Sequence, residues 1–166
     1  AGGIVGQQLE NVYIDQCYND GTIDATSAVG GIAGRVTDYT TVTNCFNMGF
    51  VPWASGKSLL AGIVGQKEDK SKKHILIENC YNVGATGWGI IGGEDDDNVD
   101  CRNCYYLNTA SDGDMKGSGS HAKSADEMRR KSTYAGFSTD VWTFSGDGYS
   151  APVLRNVPTP SSYPLH

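Results

Sequence analysis

Two short motifs alternate four times along this chain, and that alternation sets what it can fold into. The first is a glycine-flanked apolar element: Gly2-Gly3-Ile4-Val5-Gly6, Gly30-Gly31-Ile32-Ala33-Gly34, Ala61-Gly62-Ile63-Val64-Gly65 and Trp88-Gly89-Ile90-Ile91-Gly92. The second follows each copy of it: Gln16-Cys17-Tyr18-Asn19, Asn44-Cys45-Phe46-Asn47, Asn79-Cys80-Tyr81-Asn82 and Asn103-Cys104-Tyr105-Tyr106. The final glycines of the first element stand 28, 31 and 27 residues apart. At that period one repeat is one supersecondary unit, and it buries its apolar face only by stacking on its neighbours.

Nothing inside the unit has helical spacing. Five residues before each cysteine come Val12, Thr40, Ile75 and Val99, and three before it Ile14, Val42, Ile77 and Cys101. Apolar positions two apart describe a strand with one buried face. The parity changes between the third residue before the cysteine and the cysteine itself, so the strand must bend or bulge there. Four residues after the cysteine stand Gly21, Gly49, Gly84 and, in the last copy, Asn108, which reads as a turn requiring positive φ. These signals predict three strands per unit: one ending near the Cys-aromatic-Asn element, a short one near Ile23 or Val51, and one at the Gly-Ile-Val-Gly element. The expected fold is all-β, a parallel β-solenoid (β-helix) of about four rungs over residues 1–110. Equivalent side chains would then stack ~4.8 Å apart. They would form structural ladders of thiols (Cys17, Cys45, Cys80, Cys104), of rings (Tyr18, Phe46, Tyr81, Tyr105) and of asparagine amides, which can pair along such a stack.

After Cys104 the periodicity stops. Residues 111–157 read as a C-terminal cap, opening on a Gly/Ser/Asp-rich loop and continuing with one short helix from Ala125 to Ser132. Ser124 and Glu127 have capping-box spacing at its start. Phe137, Val141, Trp142, Phe144, Tyr149, Val153 and Leu154 then supply apolar surface to cover a terminal rung, whose open edge would otherwise template association. Pro158, Pro160 and Pro164 among serines read as an extended linker over residues 158–166. The abrupt opening on a motif suggests a piece excised from something longer.

The repeats resemble the GLUG-motif repeats of large secreted proteins of Gram-positive and gut bacteria, including non-catalytic regions of IgA-protease-like surface proteins and adhesins. The resemblance covers about residues 1–110, and the elements around Ser124-Ala125-Asp126-Glu127-Met128, Gly148-Tyr149 and Pro152-Val153-Leu154 are similar to those closing such arrays. It implies an extracellular location at the bacterial cell surface and implies no defined reaction.

Composition narrows the partners. With 13 Lys and Arg against 19 Asp and Glu, the chain has a net charge of −6, the wrong sign for displacing counterions from nucleic acid. The basic run from Lys67 to Lys73 is interrupted by Glu68 and Asp69 and reads as a solvated loop. No apolar run reaches the ~18 residues of a membrane span. The five cysteines fall at core positions and are expected as free, buried thiols rather than disulfides, Cys101 and Cys104 included. Asp95, Asp96 and Asp97, within the acidic run from Glu94 to Asp100, are the calcium candidates by their hard oxygen ligands, against the reading of a solvated turn.

No cofactor is implied. His74, His121 and His166 are paired with no nucleophile, and the zinc-protease spacing of two histidines is absent, so proteolysis is not expected. The first functional reading is a structural or adhesive repeat module, presenting surfaces to a host or matrix glycan or protein, or spacing adjacent domains of a larger surface protein. Its variable face includes the Gly65-to-Cys80 interval, 15 residues against 11 in the first two copies. The alternative is a carbohydrate-binding or carbohydrate-active β-helix, with Asp15 and Glu78 as paired carboxylates ~10 Å apart and Trp53 with Trp88 as a sugar platform.

Overall fold

The computed structural model describes residues 1–7, 10–52, 58–68, 74–93, 98–113, 119–146, 148–162 and 164–165. Its strands fall into units that follow the repeats. The first unit holds β1 (Val5–Gln7), β2 (Tyr13–Asp15) and β3 (Tyr18–Asn19). The second holds β4 (Ser27–Gly30), β5 (Ala33–Val36), β6 (Thr41–Thr43) and β7 (Phe46–Asn47), and the third β8 (Ser58–Ala61), β9 (Val64–Lys67), β10 (Ile75–Glu78) and β11 (Tyr81–Asn82). The fourth supplies β12 (Val99–Arg102) and β13 (Cys104–Leu107). Beyond it come β14 (Ser120–Lys123), α1 (Ala125–Met128), a 3₁₀ turn over Lys131–Thr133, and the strands β15 (Trp142–Thr143) and β16 (Val153–Leu154).

Strands of the repeats pair in parallel with their counterparts one unit away. The orders are β1-β5-β9, β2-β6-β10-β12, β3-β7-β11-β13-β14 and β4-β8, all open sheets. Among the described residues the protein is therefore all-β with one short helix. Register follows the repeat: Ile14 pairs with Val42, Val42 with Ile77 and Ile77 with Cys101.

The second and third units each carry four strands where the sequence predicts three. The Gly-Ile-Val-Gly element spans a corner: β4 ends on its first residue and β5 begins at Ala33, and β8 and β9 do the same at Ala61 and Val64, so the expected strand starts within its last two residues. At that corner one carbonyl takes two successive amides: Ile32 and Ala33 both donate to Ile63 O, at 3.1 and 2.9 Å. A continuous strand cannot do this, so the chain turns. The expected strand near Ile23 or Val51 is instead bound by single backbone bonds, Ile23 N to Phe50 O (2.9 Å) and Val51 N to Ala85 O (3.0 Å).

The bend before the cysteine is a residue in the left-handed region: Gln16, Asn44, Asn79 and Asn103 have φ of 53°, 50°, 52° and 50°. Asparagine is the side chain that best tolerates this conformation after glycine, which explains its recurrence there. The glycines four after the cysteine have another cause. Gly21, Gly49 and Gly84 do not adopt positive φ. At Gly49, a Cβ would stand 2.1 Å from Gly21 O and 2.2 Å from Asn19 Nδ2. Close approach of the preceding unit selects glycine at Gly49 and Gly84, whereas at Gly21 the nearest atom is Asn19 Oδ1 at 3.7 Å.

The interior is filled by one face of the units: Ile14, Ile32, Val36, Val42, Ile63, Ile75, Ile77 and Ile90 pack with the cysteines in one buried cluster. A second cluster lies on the opposite face, where Phe46, Tyr81 and Tyr105 meet Met128, Tyr134, Phe137, Trp142, Val153 and Leu154. The C-terminal segment thus lies along the flank of several units, where the sequence reading placed it over a terminal rung. Trp142 reaches both Phe46 and Tyr81, with ring centroids 6.0 and 5.8 Å away. It is β14 that continues the stack, adding a parallel strand beyond β13 with Tyr105 opposite His121. The capping box forms, with Glu127 N donating to Ser124 Oγ and Ser124 N to Glu127 Oε2, but α1 stops at Met128. The proline-rich end is no extended linker: Ala151 N donates to Pro164 O (3.0 Å), Arg129 Nε donates to Leu165 O (2.8 Å), and Leu165 packs on the second cluster. Among the described residues no helix is long and apolar enough to cross a membrane.

Corner glycines should be intolerant in proportion to their space. A Cβ on Gly31 would stand 2.1 Å from Gly62 O and 2.4 Å from Asn47 Cγ, whereas one on Gly6 meets nothing within 4 Å. Gly31→Ala is expected to lower the unfolding free energy by about 3 kcal/mol or more, and Gly6→Ala by less than about 0.5 kcal/mol. Equilibrium denaturation of the two variants checks the contrast.

Candidate functional site

The Asn-Cys-aromatic-Asn element is where the chemistry-bearing side chains concentrate, and strand alternation sends them to different places. The cysteines face the interior and the rings face outward. The last asparagine of the first three copies turns into the corner between units.

The ring column runs through Tyr18, Phe46, Tyr81 and Tyr105, each the register partner of the next. Tyr18 stacks on Phe46 at 5.0 Å and 10°, and Phe46 on Tyr81 at 5.1 Å and 5°. Each such pair adds roughly 0.5–1.5 kcal/mol beyond area burial. Tyr134 meets Tyr81 and Tyr105 edge-on, and Tyr81 Oη donates to Pro152 O, tying the flanking segment to the column.

The amide column is closer to a single network. Asn47 Nδ2 donates to Asn82 Oδ1 at 2.8 Å, and Asn47 Oδ1 accepts from Asn19 Nδ2 at 2.8 Å. Within its own turn Asn47 Nδ2 also donates to Gly49 O (3.1 Å), while Oδ1 accepts from Gly49 N (3.2 Å). Asn82 repeats the pattern with Gly84 and, at the next level, meets Ser111 Oγ and Thr86 Oγ1 at 3.2 Å each. Asn47 and Asn82 are fully buried, so these bonds satisfy groups that water cannot reach. Removing the side chain orphans its buried partners.

The thiol column is a chain of neighbours: Cys17 with Cys45, Cys45 with Cys80, Cys80 with Cys104, and Cys104 with Cys101. All five cysteines are free. Each of the four aligned thiols also donates to the carbonyl two residues back, as Cys45 Sγ does to Thr43 O at 3.0 Å. Burial pushes the Cys80 thiol well up, and hydrogen bonding with Cys45, with burial added, raises Cys17. Thiols of this kind behave as small apolar side chains with a weak donor.

Asp15 and Glu78 do occupy one strand position, with Thr43 between them in register. Partial burial works to raise Asp15, but hydrogen bonds from Asn44, Gln16 and Thr43 outweigh it and hold the carboxyl below the ordinary value. A general acid requires a raised one. Trp88 is half-buried and bridges Ala61 through its backbone. Trp53, the calcium candidates Asp95, Asp96 and Asp97, most of the Lys67-to-Lys73 run, and His166 lie outside the described residues. Among the described residues, no three or more His, Cys, Asp or Glu side chains are arranged to hold a metal ion.

Sequence reasoning missed one feature. Tyr105, His121, Lys123, Glu127, Arg130, Ser132 and Thr133 line an open cavity of about 460 Å³ beside β14. The signal was the register of β14 on β13, which no repeat copy announces.

The GLUG motif matches residues 25–48, from β4 to the end of the second Asn-Cys-aromatic-Asn element. No curated protein matches the chain. Among solved structures, the chain is similar to the crystal structure described as "a putative immunoglobulin A1 protease from Bacteroides ovatus", at 22% identity and a TM-score of 0.57. The match covers 93% of this chain and 52% of that one, so the chain spans about half the length of that protein. At this identity the likeness is one of fold.

Two outcomes follow for the columns. Asn47→Ala is expected to destabilise the protein by roughly 3 kcal/mol, since it leaves several buried donors and acceptors unpaired, and thermal and chemical unfolding check this. In the native protein a thiol reagent should label Cys17, the half-buried member, and reach the other four cysteines only after unfolding. Mass spectrometry of labelled peptides distinguishes the two classes.

Proposed function

We propose that the chain is a parallel β-solenoid of about four rungs over residues 1–110, flanked by the segment 111–157. We read it as a non-catalytic structural or adhesive repeat module of a secreted bacterial surface protein. The observation carrying this reading is where the recurring side chains go. Thiols fill the interior, rings anchor the flanking segment, and amides bond along the stack, so the repeated residues serve construction. Variation is left to the loops and to the surface of the cap, the parts a repeat protein uses for recognition.

The GLUG motif over residues 25–48 supports the extracellular reading. The protease name of the structural relative is not carried over, because the chain spans only 52% of that protein. In the carbohydrate-active alternative Asp15, whose carboxyl is held below the ordinary value, fits the base or nucleophile of the pair and not its proton donor. Presentation of a binding surface keeps its ground.

Screening the purified chain against host glycans and extracellular-matrix proteins tests the adhesive form. Saturable binding to a class of these surfaces is expected, with oligosaccharides recovered unaltered after prolonged incubation. Silence on every surface leaves only a spacer, and cleaved product removes the non-catalytic reading.

A further inference from the structure

We propose that the cavity beside β14 binds an acidic sugar, through a carboxylate or a sulfate ester. The proposal deepens the adhesive reading, on which it rests, by assigning it a site and a ligand class.

The site is built where the ring column ends. His121 is the register partner of Tyr105, and its imidazole lies 6.0 Å from that ring, inclined by 38°, as a fifth member of the column. Tyr134 and Phe137 cover Tyr105 from the side, leaving it only 6% exposed, while His121 is exposed. A flat ring is therefore held at the surface by the register of two strands. Flat rings of this kind are platforms for the apolar face of a pyranose.

The opposite wall follows α1. Arg130 is exposed, and its guanidinium meets no acceptor among the described residues. The Ser132 hydroxyl beside it is likewise exposed and unbonded. The remaining polar groups of the wall are already committed. Lys123 Nζ lies 3.5 Å from Glu127 Oε1, Glu127 Oε2 takes both Ser124 N and Ser124 Oγ, and Thr133 Oγ1 donates to Glu127 O. Among the described residues the one carboxylate lining the cavity, Glu127, is thus held by a lysine and a cap, while the Arg130 guanidinium is left open. A guanidinium offers a planar, two-pronged donor that fits a carboxylate or sulfate. With Lys123 paired to Glu127, Arg130 leaves the lining with an uncompensated positive charge, which favours an anion. The volume, about 460 Å³, falls in the range of small-ligand sites. Sulfate or carboxylate alone would use the arginine but not the ring.

Titration of the whole chain with sialic acid methyl glycoside, galactose 6-sulfate, galactose and inorganic sulfate, followed by NMR and calorimetry, tests this. At least one acidic sugar should bind, shifting the His121 ring and Arg130 side-chain resonances, and which one binds identifies the anion. Galactose and inorganic sulfate should each bind at least about tenfold more weakly. Arg130→Gln should weaken the acidic sugar by about tenfold to a hundredfold with an unchanged unfolding midpoint, and His121→Ala should weaken it while leaving inorganic sulfate unaffected. Equal binding of inorganic sulfate, equal binding of galactose, or no binding by either acidic sugar each overturns the proposal. If the Arg130→Gln protein keeps all its binding on glycan and matrix surfaces, the adhesive reading survives and this site does not.

Discussion

Gly31 and Asn47 belong to different motifs and meet at one point, and that contact controls the spacing of everything else. A Cβ on Gly31 would lie 2.4 Å from Asn47 Cγ. The same encounter joins Gly3 to Asn19 and Gly62 to Asn82, while in the fourth unit Gly89 lies against the Tyr106 ring. The glycine brings the backbone of one corner close enough for the asparagine amide to lie under it. From there the amide reaches its own turn and the neighbouring units. An amide has two donors and a carbonyl with two lone pairs, and Asn47 engages all of them. No other side chain combines this inventory with this size. The two motifs alternate in sequence because neither serves without the other.

With the spacing fixed, strand alternation assigns the rest. Between Asn44, in the left-handed region, and Asn47, the chain presents a thiol inward and a ring outward. The interior column needs small side chains because Ile32, Ile63 and Ile90 approach from the glycine corners. The exterior column needs large flat ones because it must hold a separate segment. Tyr134, Phe137 and Trp142 come from a stretch without repeats, and they pack on rings that the repeats have aligned. The flanking segment is thus positioned by the array, and it gives Phe46 and Tyr81 the burial that a solvent-facing ring column would lack.

Hydropathy and spacing reveal the columns but not the corners. Ile14, Val42, Ile77 and Cys101 could be aligned because period-two alternation is visible in one dimension, and the structure pairs them. The Gly-Ile-Val-Gly element reads as one strand, yet a corner divides it, and only its last two residues open β5 or β9. Its turn arises from two amides sharing one carbonyl in the next unit, a contact between residues about thirty positions apart. Gly49 was recognisable as a required glycine, but its cause is a neighbouring backbone rather than its own φ. The side on which the rings lie was illegible for a related reason. An aromatic residue beside a cysteine is apolar on either face, and only the path of residues 120–165 decides which face is covered.

The columns do not end together. The amide column stops at Asn82, handing its donors to Ser111 and Thr86, because the fourth unit has Tyr106 where an asparagine would continue it. Among the described residues, the sheet of β1, β5 and β9 is prolonged by a single bridge, between Val64 and Ile91. The sheet of β3, β7, β11 and β13 runs one strand further, into β14. At this end of the stack the described strands stop at different levels, and a staggered edge is one way natural sheets discourage association. The same stagger leaves the ring column one member longer than its cover. His121 stands at the surface because its strand is paired while the segment that buries Tyr105 has already turned away, so a binding cavity arises from an array that ends unevenly.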